Sequence, residues 1–152
     1  MAIREIIFRG KRLDNGEWVY GCYLKHDLVK VCFSSDDPKT NHMIVEDCAC
    51  DWGFEPEMHA YDVIPDTVGQ YTGLKDKNSM RIFEGDIVKI PDDYDTYGIN
   101  AGEVYEVYFG FGGFRLKPKY RKNARGFSLE DDGEVEVIGN IHDNSELLEE
   151  VG

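Results

Sequence analysis

Gly69 to Ile90 read GQYTGLKDKNSMRIFEGDIVKI, and the fold turns on whether these glycines and lysines hold a ligand or shape a corner. A phosphate-binding loop of the Walker type needs GxxxxGK[ST] between a strand and a helix, so that a fan of backbone amides at the helix start meets the phosphate. Here Gly69 and Gly73 stand too close together, Lys75 is followed by Asp76, and no apolar helical period comes next. The stretch reads instead as a tight turn at Leu74 to Ser79, with Asp76, Asn78 and Ser79 bonding the backbone through short side chains. Beyond it, Phe83, Ile87 and Val88 flank Glu84, Gly85 and Asp86. That pattern suits a chain that turns sharply at Gly85 and enters a buried strand. Glu84 and Asp86 then either cap neighbouring amides or face a partner.

Working outward, β-branched and aromatic residues recur in short runs between turn signals. Asn15 and Gly16, inside LDNGEW, sit where a hairpin needs positive φ. Strands are expected at 3–9, 17–24 and 28–33, followed by a loop at 34–41, a short strand at 42–46, an irregular segment at 47–60, and a strand at 61–64 ended by Pro65. Further strands are expected at 86–90, 103–109, 114–116 and 134–141. Short strands at this spacing predict an all-β protein, a small barrel or rolled sheet. Only the C-terminus reads as a short helix, with Asn144 as N-cap, Glu146 in its first turn, and Leu147, Leu148 and Val151 on an apolar side.

The 152 residues are the size of one domain, 1–152, which can divide into two β lobes, 1–66 and 67–152. Thirty acidic against seventeen basic residues give a net charge of −13, which opposes casual binding to nucleic acid or anionic membranes, so any such contact must be local. Apolar runs are too short to cross a bilayer and the start has no secretory pattern, which predicts a cytoplasmic protein with no membrane partner. In that compartment Cys22, Cys32, Cys48 and Cys50 are expected to be free thiols.

Four stretches together resemble one family. REIIFRGKRLDNGEWVYG (Arg4 to Gly21), GQYTGLKDKN (Gly69 to Asn78), IFEGDIV (Ile82 to Val88) and VIGNIHDNSELL (Val137 to Leu148) are similar, in that order, to the YopX-like family of phage and prophage proteins. The resemblance implies an all-β protein with an SH3-like, partly open barrel, acting in a bacterial host, to which the residues themselves add N-terminal strands and a short C-terminal helix. It implies no established activity. Its motif residues Tyr71, Thr72, Gly73, Asp76, Asn78, Glu84, Gly85 and Asp86 are read as structural. The family commonly shows glycine where this chain has Ser79, so the turn is expected to be less strictly left-handed there.

Signals for chemistry are weak. Asp93 and Asp95 begin a calcium-like loop, but position twelve would be Val104, which supplies no bidentate carboxylate. Cys32, His42, Cys48, Cys50 and His59 are soft ligands in one region without the paired spacing of a structural zinc site. No GxSxG or HExxH appears, and GFGG (Gly110 to Gly113) reads as a hairpin turn rather than a dinucleotide loop. No cofactor, metal or enzymatic activity is expected.

The segment that runs against the rest of the chain is FGFGGFRLKPKYRKNARGF (Phe109 to Phe127), which contains no acid. Arg115, Lys117, Lys119, Arg121, Lys122 and Arg125 interleave there with aromatics including Tyr120, as a surface would need if cations met phosphates while rings stacked on bases. The same rings could be barrel core, and the cations could offset acids of this chain or of a second copy. The reading is a non-enzymatic phage accessory protein, a β-rich binding or assembly module, with this segment as its surface for an anionic partner. That partner is a nucleic acid, a host or phage protein, or another subunit of a homo-oligomer. The alternatives are a single-stranded nucleic-acid binder and an acidic decoy for a basic host protein.

Overall fold

The computed structural model describes residues 3–27, 40–48, 57–93, 102–118, 126–129 and 134–149. The chain divides into two compact units, one of Glu5–Gln70 and one of Met1–Arg4 with Tyr71–Gly152. All described strand pairs are antiparallel and the only helical turns among the described residues are two short 3₁₀ segments, so the protein is all-β.

In the first unit β1 (Phe8–Lys11), β2 (Trp18–Asp27), β3 (Thr40–Cys48) and β4 (Glu57–Asp62) lie in the order β4-β3-β2-β1. Gly16 takes φ 71° in the β1–β2 turn, where Asn15 Oδ1 accepts from the Glu17 amide at 2.9 Å. Val19, Ile44 and Val63 form the buried centre, with Phe8, Tyr23, Tyr61 and Val68 packed against them. Pro65–Thr67 form a 3₁₀ turn, and Thr67 Oγ1 accepts from the Lys11 amide at 2.8 Å while donating to the Ile64 carbonyl at 2.6 Å.

Expectations for the N-terminal part of the chain need correction. Residues 3–7 are not strand: the ladder begins at Phe8, opposite Gly21, and Ile3 and Ile6 are exposed. The expected irregular segment 47–60 contains the end of β3 and the start of β4, and β3 itself begins at Thr40 inside the expected loop. The expected strand at 28–33 lies outside the described residues.

β5 (Gly69–Lys75) begins in the first unit, where Gly69 and Gln70 pair with β1, and from Tyr71 it belongs to the second. There β5 pairs with β6 (Arg81–Phe83). A five-stranded sheet follows in the order β10-β9-β8-β7-β11, built from β7 (Asp86–Lys89), β8 (Val104–Gly110), β9 (Gly113–Pro118), β10 (Phe127–Ser128) and β11 (Glu136–Asn140). Ile82, Val88, Ile90, Tyr105, Val107, Leu116 and Val135 form its core. Val88, Val107 and Leu116 are opposite or alternate positions of neighbouring strands and so share one packed face of the sheet.

The C-terminal helix is shorter than expected: Ser145–Leu148 make one 3₁₀ turn with no buried residue. Asn144 does not cap it, because its Oδ1 accepts from the Asn140 amide at 3.3 Å. A single turn with neither a cap nor a buried stripe has too little to hold an α-helix together.

The turn between β5 and β6 also departs from expectation. Ser79 has φ 64°, fully in the left-handed region despite its Cβ. Because that conformation costs an L-residue roughly 1–2 kcal/mol, part of which glycine returns as unfolded-state entropy, Ser79→Gly should stabilise the protein by about 0.5–1 kcal/mol. A urea titration with unchanged slope and a higher midpoint would show it.

Candidate functional site

The motif residues of the opening stretch are engaged with their own backbone. Asp76 is buried, and its Oδ1 accepts from the amides of Asn78 at 2.8 Å and Met80 at 2.9 Å while Oδ2 accepts from Val137 at 3.0 Å. One carboxylate thus closes the turn and ties it to β11. Thr72 Oγ1 donates to the Ile82 carbonyl at 2.8 Å, and Tyr71 tilts onto Phe83 with ring centroids 5.6 Å apart. Gly73 and Gly85 take φ 88° and 85°. The Gly85 amide donates to Val107 at 2.8 Å and its carbonyl accepts from Ile141 at 2.9 Å. Asp86, 2% exposed, accepts from the Phe83 amide at 2.7 Å across that turn. Glu84 is half-buried.

The basic aromatic segment is organised differently. β8 and β9 form a hairpin whose last pair is Gly110 and Gly113, leaving Phe111 and Gly112 as a two-residue loop with φ 52° and 81°. Positive φ at both central residues is the type I′ signature, which asparagine followed by glycine satisfies most readily. A phenylalanine at the first position is an outlier, and its ring is 67% exposed. Phe109, two residues earlier, is 55% exposed and meets Phe114 edge-on across the hairpin at 5.3 Å. The tip therefore presents rings to solvent where burial would be the ordinary outcome.

Arg115 and Lys117 alternate along β9 and share one face with their partners Tyr108 and Glu106. The Arg115 guanidinium lies 5.7 Å from the Phe111 ring and is held by the Gly126 carbonyl at 2.8 Å and Ser128 Oγ at 3.4 Å. Lys117 stands 3.8 Å from Glu106. Lys119, Tyr120, Arg121, Lys122 and Arg125 lie outside the described residues. Glu106, the counterion of Lys117, lies outside the segment read from the sequence and was not legible as part of this surface. The placement of Phe111 between glycines was the available signal.

Other groupings are less distinctive. An open depression of about 410 Å³ is lined by Lys77, Lys89, Ile90, Pro91, Asp92, Asp93 and Glu136. Its cations are matched, Lys77 with Glu136 at 2.5 Å and Lys89 with Asp92 at 3.4 Å. The hydrogen bond to Glu136 raises the Lys77 pKa above its ordinary value, with desolvation opposing. His42 Nδ1 meets the Tyr23 hydroxyl at 2.6 Å, whereas His59 stacks on Tyr61 opposite Glu46, four positions further along β3. The sheet register thus separates the two histidines by roughly 13 Å along the strand. Cys22 is exposed, Cys32 and Cys50 lie outside the described residues, and so do 94–101 of the calcium-like loop. Among the described residues no three His, Cys, Asp or Glu side chains gather as a metal site, and no helix is long and apolar enough to cross a membrane.

Comparison with known proteins gives one family and a structural likeness. The family described as YopX protein matches residues 7–149. Among solved structures, protein EF1440 from Enterococcus faecalis is similar at 26% identity over 95% of this chain and 99% of that one, with a TM-score of 0.49. No curated protein matches.

Proposed function

The chain belongs to the YopX family, and from that premise we propose that it is a non-enzymatic binding module of a phage or prophage, acting in the bacterial cytoplasm and meeting an anionic partner through the β8–β9 hairpin. Phe111 is the observation that carries the proposal. A loop chosen for folding alone would place asparagine or glycine there, since a bulky residue at positive φ costs on the order of 1 kcal/mol or more. With 67% of its surface in water, the ring recovers little of that by burial. Strain retained around an exposed aromatic beside a cation is better explained by contact with a partner.

The non-enzymatic part rests on the sequence, which carries no recognised nucleophile motif. The SH3-like, partly open barrel is supported by the strand order, in which β7 to β10 form a meander and β11 returns beside β7.

Immobilised heparin is a direct probe of a local anion-binding surface on an acidic chain. At low salt the protein should be retained despite its net charge of −13, and Arg115→Gln with Lys117→Gln should elute earlier. A wild-type protein that passes straight through would sink the proposal. Binding to a basic polymer instead would favour the acidic decoy, which rests on the net charge alone.

A further inference from the structure

Resting on that reading, we infer that the anionic partner is a single-stranded nucleic acid, one of whose unpaired bases stacks on Phe111. The chemistry of the hairpin narrows the class. A partner that offered only phosphate or carboxylate would need the cations but not the rings. A duplex keeps its bases inside the stack, beyond reach of a ring at a two-residue turn. An unpaired strand alternates an anion with an exposed π-face, and this hairpin alternates the same two complements, with Arg115 beside Phe111 and Lys117 two residues on.

Pre-organisation supports the choice. Arg115 is anchored by Gly126 and Ser128, so the cation next to Phe111 is already positioned. Phe109 and Phe114, edge-on at 5.3 Å, lie on the opposite face of the hairpin from Arg115 and Lys117, which leaves Phe111 as the ring beside the cations. Ordering rigid rings costs little side-chain entropy on binding.

The surrounding acidity sets the size of the site. A chain of net charge −13 repels a long polyanion, so the contact must be short and its salt dependence shallow. Two cations imply a slope of log K against log salt of about −1.4, from roughly −0.7 per phosphate on a single strand. Stacking supplies the remaining affinity and does not vary with salt in this way.

Fluorescence anisotropy with labelled oligo(dT), oligo(rU) and a matched DNA duplex, from low to moderate salt, tests this. The single strands should bind more tightly than the duplex, with the shallow slope given above. Phe111→Asn should weaken binding about tenfold and leave the slope unchanged. The same variant should melt no lower than wild type, because asparagine before Gly112 suits the turn. Lys117→Gln should flatten the slope by about 0.7. Equal or better binding to duplex, full affinity in Phe111→Asn, or no binding to either single strand would each overturn the inference. If single strands fail while heparin still retains the protein, this inference is overturned and the anionic-partner surface stands.

Discussion

Asp76→Ala should lower the stability of the protein by about 3 kcal/mol, because three amide hydrogen bonds to a carboxylate are lost and each is worth roughly 1.5–3 kcal/mol when its donor is left without water. Asn78 and Met80 are exposed, so water can replace Asp76 at their amides in part, and this keeps the estimate at the lower end. Val137 is half-buried, and its bond spans 61 residues of sequence, so its loss also frees the turn from β11. A loss of this size should move the melting midpoint down by on the order of 10 °C in calorimetry. Asp76→Asn is the informative control. It keeps one acceptor oxygen but turns an NH2 group toward an amide donor, and should fall between alanine and wild type. An alanine variant as stable as the parent would show that the carboxylate is not what holds the turn.

Gly85→Val should be at least as damaging. Gly85 has φ 85°, is buried, and uses both its amide and its carbonyl in bonds to Val107 and Ile141. A β-branched side chain at positive φ is a genuine outlier, and relaxing φ would break both bonds. The expected result is failure to fold, or a melting temperature lower by on the order of 10 °C or more. Gly85→Ala, facing roughly 1–2 kcal/mol of backbone strain, should fold with a smaller deficit. If the valine variant kept its stability but lost heparin retention, the Gly69 to Ile90 stretch would be the binding site.

These two variants also mark where sequence reasoning works. Gly85 and Asp86 announce their turn because one needs freedom in φ and the other is a short acceptor, both local properties. The hairpins at Asn15–Gly16 and at GFGG are legible for the same reason. The part of β4 before Tyr61 was not, because its polarity is inverted: His59 is half-buried while Met58 stands 74% exposed, so no hydrophobic alternation marks it. Residues 3–7 have strand composition, but the β1–β2 register starts at Phe8, and composition cannot create a ladder partner. Ser79 adopts a glycine conformation because Asp76 closes the turn around it, a tertiary override of local preference. At the candidate surface, the order of cations and rings was readable. The ring left in water was not, since barrel core and exposed platform share one composition.

Locating the bound anion tests the central claim most directly. In a ¹⁵N-resolved NMR titration with a short heparin oligosaccharide, the account predicts that the amides to shift first lie between Phe109 and Lys117, with Phe111 and Gly112 moving most and Gly69 to Ile90 nearly still. Shifts that begin at Asp76, Glu84 or Asp86, or in the strands β1 to β4 while the β8–β9 hairpin stays unmoved, would contradict it.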